Sequence, residues 1–533
     1  MRSGHRPKVS AWAPLRVPLF RALWIANVAS NVGTWMQSVG AAWLMTSLTQ
    51  SSAMVALVQT ATSLPVFLVG LPAGALADIV DRRRLLLVTQ SWMLAAAALL
   101  GVLTLTGATT PWILLALTFV LGLGASLNLP AWQASMPDLV PRADLPSALA
   151  LNGISVNIAR AIGPAMGGLL IAAAGTGAVF LLNAVSFIGV LAVLMRWRRA
   201  AGPSLMPTEG LAGAIRAGAR YVRYAPRFRA VLVRTGMFIL CGSALWALLP
   251  LVARRELGLG ALGYGVLLGC VGSGAVLGAI VLPRARAALS ADALVNGATV
   301  LFALAVAAPV LTRRVPLVAA AMGVGGIGWI ALMSSFNTAA QLALPSWVRA
   351  RGVSMYFLVF QGGMASGSAL WGTLATHTSD AVALLVAALG LVAGTAASLR
   401  WRLGRERQPD LTPSLHWPEP NLVVSPEPDE GPVLVTVEYR VEPERAGEFA
   451  RAMRRLGRAR RRSGAMRWGL FRDAADPKRF VETFLVESWA EHLRQHERVT
   501  VSDHAAEEQV RALHEGGEPP VVTHLIAFRD TEP

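Results

Sequence analysis

The chain has 533 residues, of which 54% are hydrophobic and only 15% are charged. A composition this apolar excludes an ordinary soluble globular protein and is typical of one that crosses a membrane several times. The net charge of +17 comes from the apolar part, since residues 1–400 hold 28 Lys and Arg against 8 Asp and Glu. These basic residues cluster in short loops between apolar segments, which favours a membrane-orientation signal over a nucleic-acid surface.

The N-terminus is basic and runs directly into apolar sequence. The apolar stretch from Val17 to Leu48 is far longer than the roughly 7–15 residues of a signal-peptide core, so we expect a first spanning helix that is retained. A spanning helix needs about 20 mostly apolar residues. The sequence predicts about twelve such segments, near residues 18–47, 53–77, 85–107, 111–136, 146–173, 177–195, 229–252, 261–282, 291–311, 315–339, 350–375 and 380–399.

A basic, mildly amphipathic segment interrupts the apolar runs after the sixth of them. We expect an N-terminal six-helix half over 1–195, a cytoplasmic linker over 196–228 and a second six-helix half over 229–400. Two six-helix halves around a substrate site near the middle of the bilayer are a known transporter plan. Arginines concentrate in every second loop, which predicts a multi-pass protein of the bacterial inner membrane with both termini in the cytoplasm.

The short loop GALADIVDRRRLLL, residues 74–87, places two acids and three consecutive arginines between apolar helices. Three arginines in so short a loop hold it on the cytoplasmic side. Asp78 falls at the end of an apolar helix, where a cation is preferred, so it needs a basic partner or the N-terminus of another helix. A plain topological anchor is the alternative explanation for this loop.

The loop resembles the signature loop of the major facilitator superfamily, Gly-x-x-x-Asp-Arg/Lys-x-Gly-Arg-Arg/Lys, although Ile79 replaces the usual base and Asp81 the usual glycine. The resemblance implies an all-α polytopic fold of twelve transmembrane helices in two halves. It also implies a latch that joins the cytoplasmic ends of the halves in the outward-open state. The candidate latch residues are Gly74, Asp78, Asp81, Arg82, Arg83 and Arg84.

The fifth apolar segment contains Gly163, Pro164, Gly167 and Gly168, a spacing that resembles the Gly-Pro-x-x-Gly-Gly motif of the antiporter branch of that superfamily. Glycine and proline weaken the backbone hydrogen-bond ladder, and small residues let a neighbouring helix approach closely. We expect this helix to bend while the two halves rock. Ordinary packing of small residues is the alternative.

Arg160 lies in the same apolar helix. An arginine near the centre of a spanning helix costs about 2.5–3.5 kcal/mol on insertion scales, so it should face a cavity or a partner. We interpret it as an anion-attracting cavity residue or a gate, with snorkelling to the interface as the alternative. Further candidates for the cavity are polar residues on apolar helices, which also fit helix-to-helix hydrogen bonds: Asn31, Gln37, Asn128, Asn157 and Gln361. No acidic residue falls deep in a predicted helix, so the sequence identifies no proton carrier.

After residue 400 the sequence changes character. A Pro-rich linker over 401–431 precedes strand and helix patterns over 432–530 in the order βαββαβ, which predicts a small ferredoxin-like α+β domain. The stretch from Phe484 to His496 resembles the dimeric α/β-barrel units related to antibiotic-biosynthesis monooxygenases. His492 and His496 stand four residues apart, but further metal ligands cannot be placed. We therefore interpret both as exposed helix residues and predict no metal site.

The combination of twelve helices and this tail resembles the transmembrane secretion effectors, which are akin to siderophore exporters. The resemblance implies a secondary active transporter that exports small amphipathic molecules (a drug, siderophore or secondary metabolite) by proton antiport and alternating access. Its partners would be the small-molecule substrate, protons and the lipid bilayer, without nucleic acid, cofactor or catalytic residues, and with dimerisation through the tail. The alternatives are an importer, or a membrane-anchored oxygenase or ligand sensor that acts through the tail.

Overall fold

The computed structural model describes residues 12–197, 218, 220–404, 410–418, 426–515 and 518–527. The chain forms two compact units. The first holds most of the apolar helices, over Met1–Pro207, Leu232–Asn337 and Tyr356–Arg402. The second holds the tail and two segments that connect apolar helices, over Thr208–Val231, Thr338–Met355 and Leu403–Pro533.

The first half of the bundle consists of five long helices, three of which begin at a capping side chain. They are α1 (Pro18–Leu48), α2 (Ser52–Ile79), α3 (Arg82–Leu105), α4 (Pro111–Leu139) and α5 (Leu145–Arg196). The side chains of Ser51, Asp81 and Thr110 accept backbone hydrogen bonds at the starts of α2, α3 and α4, as N-cap residues do. Gly175 has a φ of 80° and breaks α5 into two spans, at the point where the sequence predicts a turn.

The second half repeats this plan with six spans. They are α6 (Pro226–Leu251), α7 (Ala261–Ala288), α8 (Ala291–Leu311), α9 (Val315–Leu342), α10 (Arg349–His377) and α11 (Asp380–Thr395), and the short α12 (Ala397–Arg400) follows. By length and composition, eight helices of the described chain, α2 to α9, are able to cross a membrane. The kinked α5 counts twice among the predicted segments, and α1, α10 and α11 correspond to the others.

The outer surface of the bundle is apolar. Large aliphatic side chains such as Leu169 and Ile280 are 59% and 61% exposed. A contiguous surface of this kind is covered by lipid in a membrane protein and is rare on a soluble monomer. The polytopic membrane fold expected from the sequence is therefore confirmed.

The tail is a four-stranded antiparallel sheet with helices packed on one face. Its elements are β1 (Val433–Arg440), α13 (Ala446–Ser463), β2 (Arg467–Arg472), β3 (Arg479–Val486), α14 (Trp489–Arg498), α15 (Val501–Arg511) and β4 (Val521–Ile526). The strand order is β2-β3-β1-β4. The single helix expected after β3 is two helices, because Thr500 and Asp503 form a capping box that starts a new one.

One face of this sheet forms the apolar core of the tail. Alternate residues of β1, from Val433 to Tyr439, are buried, as the two-residue period of a strand predicts. They pack against Phe449 and Met453 of α13 in one cluster. This confirms the α+β fold of the tail.

Candidate functional site

A small cavity lies between the two halves of the bundle. It is lined from the first half by Trp35 of α1 and Arg160 of α5, and from the second half by Trp246 of α6 and Trp329 of α9. The guanidinium carbon of Arg160 is 5.7 Å from the centre of the Trp35 ring. The Trp246 and Trp329 rings meet edge to face, with centroids 5.2 Å apart. The cavity therefore combines one cation with three indole rings.

Two hydrogen-bond donors of this cavity are unused within the described part of the chain. There, Arg160 has neither a carboxylate partner nor a hydrogen bond, and its nearest interaction is the Trp35 ring. The indole N–H of Trp246 is buried and likewise finds no acceptor among the described residues. A cation and a buried donor without acceptors are costly in a low-dielectric site. The lining of this cavity is thus suited to a group that brings negative charge or acceptor oxygens.

The other polar residues predicted for the cavity are placed differently. Asn31 donates to Ser155 Oγ at 3.0 Å, and buried Gln37 accepts from Asn183, so both join helices of the first half. Asn128 accepts from Thr89 and Gln90 of α3. Asn157 donates to a carbonyl of its own helix, and Gln361 is half-buried on α10. Their role at a substrate cavity stays a prediction, and helix-to-helix bonding accounts for the first three.

The Gly-Pro motif brings α5 close to two different helices. A Cβ atom on Gly163 would lie 2.6 Å from Trp35 Cβ, within the first half. A Cβ on Gly168 would lie 2.7 Å from the Ala261 carbonyl oxygen of α7, and one on Gly265 would lie 2.7 Å from the Pro164 oxygen. Contacts this short exist only because side chains are missing there. The motif thus sits where the two halves touch, while its bending stays a prediction.

Polar contacts close the bundle at one end. We call the end where α1 begins the near end and the end where α1 terminates the far end. At the far end Asp380 accepts from Ser52 Oγ at 2.7 Å and pairs with Arg255 at 3.2 Å. Arg255 also donates to Ser52, and Arg254 donates to Thr46 Oγ1 at 3.0 Å. Because the two halves contribute different members of this cluster, the far end is closed.

The sequence did not indicate the far-end cluster, because Asp380 and Arg255 lie 125 residues apart and each stands at an unremarkable helix end. For the same reason, the sequence does not indicate a buried ion pair inside the second half. Arg234 of α6 is only 5% exposed and pairs with Asp292 of α8, and it also donates to Asn296 at 2.6 Å. These bonds hold α6 against α8.

The arginines of the signature-like loop bond within the first half. Arg82 donates to the Ala134 oxygen at 2.8 Å, near the end of α4. Arg83 donates to the Leu194 and Met195 oxygens, at the end of α5, where a helix dipole favours a cation. Asp81 caps α3 by accepting from the Arg84 N–H at 2.9 Å. The latch between the halves that the resemblance implies stays a prediction. Gly74 has open space around its Cβ position, and the side chain of Asp78 lies outside the described residues.

The tail contains a buried polar cluster that the sequence did not reveal. Arg460 of α13 donates to Glu482 of β3 and to Glu507 of α15, and all three are buried. Burial raises the pKa of Glu507, but the Arg460 charge and hydrogen bonds from His416 and Trp417 outweigh it and bring this pKa down to about 2. Glu507 is therefore an ionised carboxylate inside the tail.

The interpretation of His492 and His496 as exposed residues is wrong, since His496 is half-buried against Trp417 and His492 is buried. The side chain of His492 is 1% exposed, because it faces the sheet and stacks near Trp489 and His524. Burial, together with the neighbouring His524 and His496, lowers its pKa to about 3. His492 is thus a neutral core residue at physiological pH.

The second unit also ties the tail to two connecting segments. Arg220, just before α6, donates to Glu491 of α14 at 3.2 Å. Arg498 of α14 stacks 4.6 Å from the centre of the Trp347 ring, between α9 and α10. The tail is therefore in contact with segments that lead into membrane-spanning helices.

Comparison with known proteins agrees with this architecture. Residues 9–532 match the family described as transmembrane secretion effector. The chain is 27% identical to the enterobactin exporter EntS of Salmonella typhi over 383 residues, covering 70% of this chain and 90% of the exporter. It is 30% identical to the staphyloferrin A transporter of Staphylococcus aureus over 165 residues, covering 31% of this chain and only 42% of that transporter.

Among solved structures, the chain resembles a bacterial homolog of the human lysosomal transporter Spinster, crystallised inward-facing and unoccupied. The TM-score is 0.58 at 15% sequence identity, covering 75% of this chain and 98% of that one. This likeness shows a shared fold.

Proposed function

Since the chain belongs to the transmembrane secretion effector family, a branch of the major facilitator superfamily, we propose that it exports small amphipathic molecules by alternating access. It is a membrane transporter and not an enzyme, as its relatives are transporters. Two relatives are named after siderophores, enterobactin and staphyloferrin A. Export of a siderophore, drug or secondary metabolite is therefore the function to test.

The observation that carries this proposal is the cavity around Arg160. Its guanidinium, which has no partner among the described residues, attracts an anionic group, and the rings of Trp35, Trp246 and Trp329 offer flat apolar faces. Aromatic faces stack on planar substrate rings, and a desolvated cation binds carboxylate or phenolate oxygens strongly. We infer that the preferred substrates are anionic and contain an aromatic or planar part.

The contacts between the two halves support alternating access. The far end is closed by Asp380, Arg255 and Ser52, so reaching the cavity from that side requires these bonds to separate. We propose that the far end faces the outside of a bacterial inner membrane and that both termini are cytoplasmic, because arginines crowd the near-end loops. Proton antiport is the energy source that we propose on the likeness to the antiporter branch.

Accumulation in cells tests the proposal. Bacteria that express the chain are loaded with a panel of fluorescent or labelled compounds, anionic aromatic ones among them, with and without a protonophore. We expect lower steady-state accumulation of the anionic aromatic compounds in expressing cells, and we expect the protonophore to abolish the difference. Higher accumulation would indicate an importer, and a difference that survives the protonophore would contradict proton coupling.

We also propose that the tail pairs with a second copy of itself through the open face of its sheet. The strand register places Leu434 between Leu485 and Leu525, which form an apolar row across β3, β1 and β4. Leu525 is 51% exposed, and Phe471 at the opposite edge is 59% exposed. An exposed apolar row of this kind fits the two-fold interface of a homodimer.

A charge placed in this row tests the pairing. Leu525→Glu in the full chain is expected to shift the dimer to monomer, because two carboxylates would be buried at a two-fold interface. The mass of the detergent-solubilised protein, from light scattering, is the measurement. Leu493→Glu is the matched control, since Leu493 is similarly exposed but lies on a helix on the other side of the tail. A monomeric wild type, or a variant as dimeric as the control, would overturn the pairing.

A further inference from the structure

Part of the linker before the tail packs against the tail. Its segment from Asp410 to Pro418 lies along the start of α15. The Ser414 N–H donates to the Val499 oxygen at 2.9 Å, and the Val501 N–H donates to the Thr412 oxygen at 3.0 Å. This short antiparallel contact carries the side chains of His416 and Trp417 to the buried face of α15. We call residues 410–418 the strap.

The strap completes a cluster of three metal-binding side chains. One ligand atom each from His416, His504 and Glu507 lie within 4.8 Å of one another. The two imidazole rings have centroids 3.9 Å apart, and His416 Nε2 is 2.7 Å from Glu507 Oε2. Nδ1 of His504 is buried and, among the described residues, has no hydrogen-bond partner. A buried ring nitrogen without a partner is costly in the absence of a ligand.

Neighbouring groups orient each of these side chains. Ser414 Oγ lies 2.7 Å from His416 Nδ1, which leaves Nε2 directed at Glu507. Arg460 donates to Glu507 Oε1 at 2.6 Å, and the indole N–H of Trp417 is 3.0 Å from Oε2. Hydrogen bonds of this kind fix the tautomer and the direction of metal ligands in proteins. The cluster thus has the supporting contacts that metal sites need.

The charge balance also suits a cation. Among the described residues, Arg460 is the one Lys or Arg in hydrogen-bond contact with Glu507, and it is shared with the buried carboxylate of Glu482. Two carboxylates and one guanidinium leave a net negative charge when the histidines are neutral. A divalent ion between His416 and Glu507 would find two imidazole nitrogens and one carboxylate oxygen.

We propose that His416, His504 and Glu507 bind a divalent transition metal such as Zn²⁺, with a fourth position open to water or another ligand. Two imidazoles and one carboxylate are ligands that Zn²⁺ and its neighbours prefer, and three protein ligands with one open position are typical of accessible zinc sites. Because His416 belongs to the strap and the other two ligands belong to α15, the metal would fasten the linker to the tail. Metal supply would then set how firmly the linker from the last membrane helix is held.

Metal titration of the full chain tests this site. The detergent-solubilised protein, without a histidine tag and stripped by chelator, is titrated with Co²⁺ and then Zn²⁺. We expect one equivalent to bind, with visible Co²⁺ absorption that Zn²⁺ displaces, and we expect zinc to raise the melting temperature. His416→Gln and His504→Gln are each expected to bind at least about tenfold more weakly, the lower limit of what supporting residues alone cost. His377→Gln is the control, because His377 is exposed at the end of α10.

X-ray absorption at the zinc edge of the wild-type complex is independent of how well the variants fold. We expect the spectrum to show two imidazole ligands and further oxygen ligands, with metal–nitrogen and metal–oxygen distances of about 2.0–2.2 Å. Failure of the wild type to bind, spectra without imidazole, or affinities of the two ligand variants equal to that of His377→Gln would each overturn the site.

Discussion

Replacing Arg160 by Leu is expected to lower export of anionic substrates by roughly 10–150-fold. Arg160 is the cation of the cavity between the halves, and it has no partner within the described chain that would take over its role. A hydrogen bond to a charged group contributes about 1.5–3 kcal/mol. Loss of that free energy weakens substrate affinity by roughly 10–150-fold. Leucine fills a similar volume, so the loss reflects charge rather than a cavity.

The difference between charged and neutral substrates tests the role of Arg160 more specifically than the loss of export alone. Arg160→Leu is expected to reduce export of carboxylate or phenolate compounds much more than export of their neutral esters. Arg160→Lys should retain part of the anion export, since the charge persists without the planar fork of donors. Efflux of paired acid and ester probes from loaded cells is the measurement. Arg142→Ala, an exposed arginine before α5, is the control. Equal losses for acids and esters would contradict an anion-binding role.

The sequence predicts much of the bundle because the signals are local. Each signal predicts the structure of its own segment: an apolar run of spanning length, a turn residue such as Gly175, or an arginine-rich loop. Arg160 could be recognised as a cavity residue because its cost in an apolar helix is a local property. Its partners could not be recognised, because Trp246 and Trp329 belong to other helices and look like ordinary apolar residues in the sequence.

The tail illustrates the same limit. Strand alternation predicts β1 correctly, whereas the break between α14 and α15 depends on a hydrogen-bonded cap at Thr500. The pairing of His416 with Glu507 joins residues 91 positions apart and requires the strap to fold back. Spacing rules for metal sites detect ligands on one element, so they do not find a site assembled from a linker and a helix.

Gly168→Leu is expected to hold the transporter open at the far end and to lower export by about 5–150-fold. Gly168 faces α7 of the other half, and an added Cβ would lie 2.7 Å from the Ala261 oxygen and 3.1 Å from Gly265 Cα. Both are backbone atoms, which cannot rotate away as a side chain can, so the strain falls on the closed arrangement. Overpacking costs about 1–3 kcal/mol. A free-energy change of that size shifts the equilibrium between the two conformations by about 5–150-fold.

Cysteine accessibility measures this shift directly. In a chain with Cys241→Ala and Cys270→Ala, a Ser52→Cys probe sits in the closed far-end contact, where Ser52 is 4% exposed. A membrane-impermeant maleimide added outside is expected to label the probe several-fold faster when Gly168→Leu is present. Gly153→Leu is the matched control, because Gly153 lies on the same helix with open space around its Cβ position. If Gly168→Leu and Gly153→Leu label and transport alike, the close approach of α5 and α7 does not control far-end closure. If Gly168→Leu alone opens the far end, the Gly-Pro motif acts through this contact between the halves.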